Sequence, residues 1–437
     1  MKISVIGCGY LGAVHAAGLA SVGHEVVGID VDAARVAVLS TGRAPFFEPG
    51  LDDLLAEGLA SGRLSFSTDP ADAADAVVHF IAVGTPQSAY GGGADLRYLD
   101  AAVEGLLPHL SADALIAGKS TVPVGTAERI AERLEQAGVR TIVAWNPEFL
   151  REGFAIEDTL RPDRLVYGVE AGPRGERAVE LLDEVYRTVL DLDTPRLVTS
   201  RETAELVKVS ANAFLATKIS FINAISEVAE AAGADVTAIA DAIGFDARIG
   251  RRFLNAGVGF GGGCLPKDIR AFRARADELG VGASLAFLGE VDSINLRQRD
   301  RVARAVVDAL GGDPTGRRVA ILGLAFKPNS DDIRDSPALD IALRLQSQGA
   351  TVVATDPQAV ENARRVDPDL QFAATAEDAI AGSDVTVLLT EWQQFRDLDP
   401  ASIVGLPSSP YMIDGRNVLD PFAWREAGWI YRSLGRP

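Results

Sequence analysis

Cysteine is scarce in this chain, with only Cys8 and Cys264 among 437 residues. Two such distant cysteines cannot form a disulfide framework, and their spacing does not suggest a zinc site. We therefore expect no bound metal. Each thiol is then either a filler of the hydrophobic core or a reactive group.

Long apolar runs and an excess of positive charge are also lacking. No run approaches the ~20 residues that a membrane-spanning helix needs, and no charged-then-apolar leader opens the chain. The 42 Lys and Arg residues against 61 Asp and Glu residues give a formal charge of −19. This charge argues against nucleic acid or an anionic membrane as a partner. We expect a cytoplasmic protein that binds neither and that meets an anionic ligand with individually placed basic residues.

Apolar segments alternate with helical ones along the first part of the chain. Strands separated by helices, most of them apolar throughout, are typical of a parallel sheet covered on both faces. The pattern restarts after the turn-rich segment 311–318, which predicts a second, smaller doubly wound domain with a helix over 337–348. The predicted strands lie within residues 3–7, 25–30, 76–84, 114–122 and 141–146, and then within 318–326, 350–357 and 384–392.

The middle of the chain has a different pattern. Residues 202–232 contain neither proline nor glycine, which predicts one helix of about 30 residues, ~45 Å long, with a surface suited to a dimer. The predicted fold is α/β, with two doubly wound Rossmann-like domains joined by this long central helix and a helical middle domain. The expected boundaries are 1–198, 199–312 and 313–437.

The segment GCGYLG, residues 7–12, follows a strand and opens a helix. Its glycines permit a tight turn and let backbone amides approach a pyrophosphate. Asp30 at the end of the next strand would bind a ribose 2′-hydroxyl and repel a 2′-phosphate, which favours NAD over NADP. The nearby Arg35 argues against this preference for NAD. The alternative interpretation of the motif is a structural glycine turn that binds no ligand. Cys8, inside the turn, is interpreted as an inert filler. The motif's candidate cofactor-binding residues are Gly7, Gly9, Tyr10, Leu11 and Gly12.

Cys264 lies in GFGGGCLPKD, after a run of glycines and before Pro266. Proline at the first helical position would make Leu265 the cap and place Cys264 at the positive end of a helix. That setting, with Lys267 close by, lowers a thiol pKa and favours a nucleophilic thiolate. Asp268 would lie one turn away. The alternative is a buried, inert cysteine.

Lys208 and Asn212 are four residues apart on the predicted long helix and so share a face. An ammonium and a carboxamide there could stabilise an oxyanion, although spacing alone favours a lysine that reaches to solvent from an ordinary amphipathic helix. Glu148 and Glu152 flank Arg151 and could activate water, or they could form a structural salt-bridge cluster.

Histidine is absent from these groups. The four histidines are His15, His24, His79 and His109, so proton transfers are expected to use Lys, Asp, Glu or water.

Several segments in one order and spacing resemble the UDP-glucose/GDP-mannose dehydrogenases over nearly the whole chain. They are GCGYLG with Asp30, VGTP (83–86), STVPVGT (120–126), NPEFLREG (146–153), ELVKVSANAFLATKISFIN (205–223), FLNAGVGFGGGCLPKD (253–268), GLAFKPNSDDIRDSP (323–337) and DGRN (414–417).

The resemblance implies a four-electron oxidation of a sugar carbon 6 that consumes two NAD, with UDP-glucose as the preferred substrate. Lys208 and Asp268 match residues that help to deprotonate the alcohol through an ordered water. Cys264 matches a nucleophile that forms a thiohemiacetal and then a thioester, and Lys208 with Asn212 matches the oxyanion stabilisers. The positions that match water- and proton-handling residues are Glu148, Glu152 and Thr121.

The resemblance also implies binding residues and a homodimer in which Arg248 reaches the partner's site. Implied NAD contacts, beyond the glycine turn, are Asp30, Arg35, Thr85, Thr121, Glu152, Lys267 and Arg334. Implied contacts to the nucleotide sugar are Phe149, Leu150, Arg151, Glu152, Lys208, Asn212, Arg248, Phe253, Leu254, Asn255, Ala256, Gly257, Gly261, Phe326, Lys327 and Arg416.

Three departures from the family pattern leave the base and the hexose open. Phe253 replaces a tyrosine of some relatives, Ala224 replaces a common glutamate, and GGGC replaces the more frequent GGSC or GGYC. TDP-glucose and GDP-mannose therefore stay as alternative substrates. A two-electron β-hydroxyacid dehydrogenase, which needs no cysteine, and a non-catalytic sensor of NAD or a nucleotide sugar are the alternative functions.

Overall fold

Two sheets organise the part of the chain described by the computed structural model, residues 1–89 and 91–437. The chain divides into a first unit of residues 1–211 and 271–282 and a second unit of residues 212–270 and 283–437. The sequence-based division into three parts at 198/199 and 312/313 stays a prediction.

The first unit contains an eight-stranded sheet in the order β3-β2-β1-β4-β5-β6-β7-β8. All neighbouring strands pair in parallel except β6 and β7, which are antiparallel. Residues 146–164 therefore return the chain to the sheet edge at which β6 ends. The strands are β1 Lys2–Ile6, β2 Glu25–Ile29, β3 Leu64–Ser67, β4 Val78–Ile81, β5 Leu115–Gly118, β6 Ile142–Trp145, β7 Leu165–Gly168 and β8 Arg196–Thr199.

Helices cover both faces of this sheet, as the apolar strands predict. Ile3 and Val5 of β1 belong to one hydrophobic cluster and Ile6 to another, because successive side chains of a strand point to opposite faces. The helices are α1 Tyr10–Ser21, α2 Ala33–Leu39, α3 Leu51–Ala60, α4 Arg97–Leu106, α5 Thr126–Gln136, α6 Ala155–Leu160, α7 Pro173–Val185 and α8 Arg187–Leu190, with short 3-10 helices at Pro70–Ala73 and Leu107–His109.

The predicted long helix is present as α9, Arg201–Ala232, with 32 residues. It begins in the first unit and continues into the second, and α11, Leu265–Glu278, also contributes residues to both. Between and after them lie α10 Val236–Gly244, a 3-10 helix Gly282–Leu285 and α12 Phe287–Ala309. No helix among the described residues has both the length and the apolar character needed to cross a membrane.

The second unit contains a six-stranded parallel sheet in the order β11-β10-β9-β12-β13-β14. This arrangement confirms the predicted second doubly wound pattern. Its strands are β9 Arg318–Leu322, β10 Thr351–Thr355, β11 Gln371–Phe372, β12 Val385–Leu388, β13 Tyr411–Asp414 and β14 Ile430–Ser433. Its remaining helices are α13 Pro337–Ser347, α14 Val360–Val366, α15 Ala376–Ile380, α16 Gln393–Arg396, α17 Pro400–Ile403 and α18 Pro421–Glu426.

Candidate functional site

The glycine turn after β1 has the shape that a bound dinucleotide needs. A Cβ on Gly12 would lie 1.8 Å from the carbonyl oxygen of Gly7, and one on Gly7 would lie 2.9 Å from the backbone of Val83. Gly9, the N-cap of α1, instead faces open space. The close packing requires glycine at positions 7 and 12, and the open space at Gly9 leaves the helix N-terminus accessible to a pyrophosphate.

Asp30 follows β2 and is buried. Its carboxylate accepts hydrogen bonds from the backbone N–H of Cys8 at 2.7 Å and of Asp32 at 2.9 Å. Arg35 forms an ion pair with Asp30 at 2.9 Å. This pairing gives Arg35 a structural partner, and a carboxylate at this position suits the ribose of NAD.

Cys8 is a core residue, as the sequence analysis predicts. The side chain is fully buried beside Val5, and burial raises the pKa of its thiol. A thiol in this state is a poor nucleophile because the thiolate is the reactive form.

Four segments meet at the carboxyl edge of the first sheet, since they follow the parallel strands β1, β4, β5 and β6. Two hydroxyl groups join the segments after β4 and β5. Thr85 Oγ1 donates to the carbonyl of Thr121 at 2.7 Å, and Ser120 Oγ donates to the carbonyl of Val83 at 2.6 Å.

Lys208 and Glu148 form a shielded ion pair at this edge. Lys208 Nζ lies 3.0 Å from Glu148 Oε1, and the two side chains are 6% and 12% exposed. The ammonium also lies 5.5 Å from the ring centroid of Phe149. The expectation of a lysine that reaches to solvent is wrong, because α9 directs this side chain to Glu148.

The segment 146–153 is irregular, so Glu148 and Glu152 do not share a helix face. Arg151 pairs with Asp158 at 2.6 Å rather than bridging the two glutamates. Glu148 instead accepts a hydrogen bond from the backbone N–H of Leu150.

Glu48 is a buried residue that lies outside all the motifs recognised in the sequence. Its carboxylate accepts from the Tyr10 hydroxyl, and from the backbone N–H of Gly153 at 2.6 Å and of Ala155 at 2.8 Å. It thereby joins the start of α1 to the end of the NPEFLREG segment. Its sequence context, between two phenylalanines and Pro-Gly, carries no signal of this role.

In the second unit, Cys264 is exposed at the start of α11. The backbone N–H of Asp268 donates to the Cys264 carbonyl at 2.9 Å, the first hydrogen bond of the helix. Cys264 is therefore the N-cap itself, and the prediction that Leu265 would be the cap is wrong by one residue. Pro266 is tolerated at the second helical position because an N–H there has no partner within the helix. The alternative of a buried cysteine is also wrong, because Cys264 is exposed.

Asp268 is buried one turn after Cys264. Its Oδ2 accepts from Asn212 Nδ2 at 2.6 Å, and its Oδ1 pairs with Lys267 Nζ at 2.6 Å. An amide and a carboxylate are thus brought together near the thiol, with the positive end of α11 available to a thiolate.

The glycines before Cys264 are closely packed. A Cβ on Gly261 would lie 2.4 Å from the carbonyl oxygen of Asp335, and one on Gly262 would lie 2.8 Å from the Phe326 ring. A Cβ on Gly263 would lie 2.4 Å from the Arg334 guanidinium. These three positions therefore leave no room for a side chain larger than that of glycine.

Three asparagines hold the backbone before these glycines. Asn223 Oδ1 accepts from Gly257 N–H at 2.8 Å, and Asn417 Nδ2 donates to the Ala256 carbonyl at 3.1 Å. Asn295 forms two bonds with Phe260, accepting from its N–H at 2.7 Å and donating to its carbonyl at 2.9 Å. The only signal in the sequence is the polar residue itself, which does not identify a distant partner.

Several candidate residues for binding the nucleotide sugar already make contacts within the protein. Leu254 and Ala256 are buried in a cluster with Ile222, so ligand contacts would have to use their backbone. Arg416 donates to the carbonyls of Leu389 at 2.6 Å and Phe326 at 3.0 Å. Phe253 has a positive φ of 66°. Arg248 is highly exposed and pairs with Asp246, and Lys327 lies 5.1 Å from the Phe326 ring centroid. Arg334, a candidate NAD contact, pairs with Asp332.

Comparisons with known proteins agree along the chain. Residues 1–190 match the NAD binding domain of the UDP-glucose/GDP-mannose dehydrogenase family, residues 202–297 its central domain and residues 320–421 its UDP binding domain. The UDP-glucose 6-dehydrogenase of Rhizobium meliloti is 44% identical over all of both chains. The UDP-glucose 6-dehydrogenase TuaD of Bacillus subtilis is 40% identical over 100% of this chain and 93% of the relative.

Solved structures give the same result. A UDP-glucose dehydrogenase from the archaeon Pyrobaculum islandicum has a TM-score of 0.91 and 40% identity, over 100% of this chain and 98% of that one. A UDP-D-ManNAc dehydrogenase from Pyrococcus horikoshii has a TM-score of 0.86 and 29% identity, over 100% and 99%. With its dinucleotide turn at residues 7–12 and its exposed Cys264, this chain belongs to the UDP-glucose/GDP-mannose dehydrogenase family of NAD-dependent oxidoreductases.

Proposed function

We propose that this enzyme oxidises carbon 6 of UDP-glucose to the carboxylate of UDP-glucuronate through a covalent intermediate on Cys264. The supporting observation is an exposed thiol at a helix N-terminus, one turn from a buried Asp268 that binds Asn212. An oxidation of four electrons explains why a cysteine is needed, since a two-electron oxidation of an alcohol needs none.

The first oxidation converts the alcohol to an aldehyde. Lys208 and Asp268 help water to take the hydroxyl proton, and carbon 6 gives up a hydride to leave an aldehyde. NAD, when bound, accepts the hydride in each oxidation. The thiolate of Cys264 then adds to the aldehyde carbon, and Lys208 and Asn212 stabilise the oxyanion of the thiohemiacetal.

The second oxidation converts the thiohemiacetal to a thioester by loss of a second hydride. Water then attacks the carbonyl carbon, the carbon–sulfur bond breaks, and the thiolate and a carboxylate are released. Glu148, Glu152 and Thr121 handle the water and its protons. Overall, one alcohol, two NAD⁺ and one water give one carboxylate, two NADH and three protons.

Cofactor and substrate binding use the residues identified from the sequence. Lys267 and Arg334 contribute to NAD binding with Thr85, Thr121, Glu152, Asp30, Arg35 and the glycine turn. The nucleotide sugar binds residues 149–152, the segment 253–257 and Gly261, with Phe326, Lys327 and Arg416 around it. Because the formal charge of the protein is −19, individual Lys and Arg side chains in the site are needed to bind a pyrophosphate.

UDP is the preferred nucleotide because the relatives from Rhizobium meliloti and Bacillus subtilis carry the name UDP-glucose 6-dehydrogenase. Purified protein offered UDP-glucose, TDP-glucose and GDP-mannose separately should form NADH fastest with UDP-glucose. About two NADH per sugar should form. A lack of NADH with all three sugars would rule out the proposed function, and one NADH per sugar would indicate the two-electron alternative.

Cys264→Ser tests the covalent route directly. The variant should lose the two-NADH turnover, because a serine hydroxyl is a far weaker nucleophile than a thiolate. Unchanged turnover would contradict the role of Cys264 and would support a dehydrogenase that needs no cysteine.

We further propose a cytoplasmic homodimer. Phe214, Phe221 and Val228 are spaced seven residues apart on α9 and are 66%, 50% and 64% exposed, so they form one apolar stripe. A second copy of the chain is the proposed partner, with Arg248 reaching its site. Phe221→Asp should shift the sedimentation coefficient from dimer towards monomer, and an unchanged coefficient would count against this surface.

A further inference from the structure

Lys119 is a buried lysine outside the proposed catalytic set. It follows β5 in the first unit and is 5% exposed. Its Nζ donates to Asn146 Oδ1 at 2.9 Å and to the Tyr186 hydroxyl at 3.0 Å, and that hydroxyl donates to the same Asn146 oxygen at 2.7 Å. The three groups therefore form a closed triangle in the interior of the unit.

The surroundings of this ammonium are mostly aromatic. Nζ lies 5.4 Å from the ring centroid of Phe80 and 5.5 Å from that of Tyr186. Within the described residues it forms no ion pair. His15 packs edge-on against Phe80 at 4.6 Å, and Tyr167 stacks on Tyr186 at 6.2 Å. An unpaired ammonium in such a place is costly, which argues for a function beyond packing.

The triangle is connected to the Lys208–Glu148 ion pair through the chain, because Asn146 and Glu148 are two residues apart. Asn146 Nδ2 donates to the Val166 carbonyl at 3.0 Å, which anchors the residue at the end of β6. Glu148 follows two residues later and pairs with Lys208 at 3.0 Å. The charge of Lys119 acts on both members of this pair, attracting Glu148 and repelling Lys208.

We propose that Lys119 is a positioning residue for the Lys208–Glu148 pair, and that its ammonium sets the pH range in which this pair works. The inference rests on the proposed function, because it assumes that the pair handles protons in the oxidation.

The direction of the effect follows from the charges. Burial lowers the pKa of Lys119 to about 7, so its charge changes near neutral pH. A positive Lys119 favours the carboxylate of Glu148 and disfavours the ammonium of Lys208. Removal of Lys119 takes away this attraction on Glu148 and this repulsion on Lys208. The other titratable groups around it are His15, Tyr167 and Tyr186. Burial lowers the pKa of His15, which leaves it neutral, and raises those of the two tyrosines, which keeps them protonated.

The test is the pH dependence of kcat and kcat/KM for NADH formation from UDP-glucose in Lys119→Met. The acidic limb of the profile should move to higher pH by about half a unit or more, because the positive charge that favours the Glu148 carboxylate is lost. The alkaline limb should move less, since Lys119 is largely neutral above about pH 7. Lys119→Arg, which keeps a charge at every pH, should not show this upward shift. Lys2→Met is the matched control: it also removes one lysine from the first unit, but from the start of β1, where Lys2 pairs with Asp75.

A profile of Lys119→Met that coincides with those of the wild type and Lys2→Met would overturn the proposal. If Lys119→Met does not fold, Tyr186→Phe decides, since it keeps the ring and removes one acceptor of the ammonium. Loss of that acceptor favours the neutral form of Lys119, so the acidic limb should again move to higher pH. An unmoved acidic limb in this variant would also overturn the proposal.

Thermal unfolding gives a readout that does not depend on the reaction. Because the pKa of Lys119 is lowered on folding, its neutral form is favoured in the folded state, and wild-type stability should rise between about pH 7 and pH 10. The difference in Tm, Lys119→Met minus wild type, should therefore be highest below pH 7 and should fall as the pH rises above 7. A Tm difference that is constant with pH contradicts the inference even if UDP-glucose is not the substrate. A wild type that forms no NADH from any sugar contradicts the proposed function alone.

Discussion

Glu205, in the first turns of α9, accepts a 2.7 Å hydrogen bond from the backbone N–H of Ala127 at the start of α5. Its other carboxylate oxygen accepts from the N–H of Gly125, also at 2.7 Å. One side chain thus satisfies two N–H groups that a helix start leaves without partners. Because Lys208 lies three residues later on the same helix, the bond also fixes the STVPVGT segment relative to that lysine.

Glu205→Gln should change the pH dependence of stability. Burial raises the pKa of Glu205 to about 7, against the opposing effect of the backbone hydrogen bonds. The wild type should therefore lose up to about 3 kcal/mol relative to the variant as pH rises from ~4.5 to ~7.5. Urea unfolding at several pH values measures this difference. A difference that does not grow with pH would show that the hydrogen bonds outweigh burial.

Gly261→Ala should disturb the loop that carries Cys264. The new methyl group would lie 2.4 Å from the backbone oxygen of Asp335, so one of the two segments must move. We expect kcat/KM to fall about tenfold or more and stability to fall by about 1–3 kcal/mol. Gly405→Ala is the control in the same unit, because its methyl group would meet open space. Equal activity in the two variants would disprove the packing argument.

Asp30→Ala should weaken the preference for NAD over NADP. The carboxylate is lost from the ribose position, and with it the repulsion of a 2′-phosphate. The ratio of kcat/KM for NAD to that for NADP should fall by about tenfold or more. Asp32→Ala removes the same charge from the N-cap of α2 and should leave the ratio near that of the wild type. A ratio unaffected by Asp30→Ala would remove this residue from cofactor selection.

The two cysteines should differ in their reaction with iodoacetamide. Cys264 is exposed at a helix start, whereas Cys8 is buried with a raised pKa. Mass spectrometry of the native protein should detect alkylation on Cys264 and almost none on Cys8, which should react only after denaturation. Comparable labelling of Cys8 in the native state would contradict the arrangement of the glycine turn.

The alternation of strands and helices was predictable where a strand is a continuous apolar run. β1, β4, β5 and β9 follow from such runs because both faces of each strand are covered. β8 was not predicted, since it is an exposed edge strand, and β11 has two residues, too few for any pattern. The antiparallel entry of β7 depends on the path of residues 146–164, which local sequence does not encode.

The candidate site was predictable where the chemistry lies in one motif. The glycine turn with Asp30 and the helix start at Cys264 are each local, so residue type and spacing suffice. The bonds of Asn295 to Phe260 join residues 35 apart, and those of Glu48 to Gly153 join residues 105 apart. Such pairs depend on tertiary packing, and a polar residue in the sequence does not identify its distant partner.

The sharing of α11 by both units bears on how the enzyme can be cut or recombined. A fragment that stops at residue 211 would lack residues 271–282, which belong to the same unit as the dinucleotide turn. Among them, Arg275 donates to the Val124 carbonyl at 3.1 Å, beside the glycine that Glu205 holds. An isolated NAD-binding fragment of residues 1–211 would therefore be an incomplete unit. A chimaera between two relatives has to exchange residues 1–211 and 271–282 together.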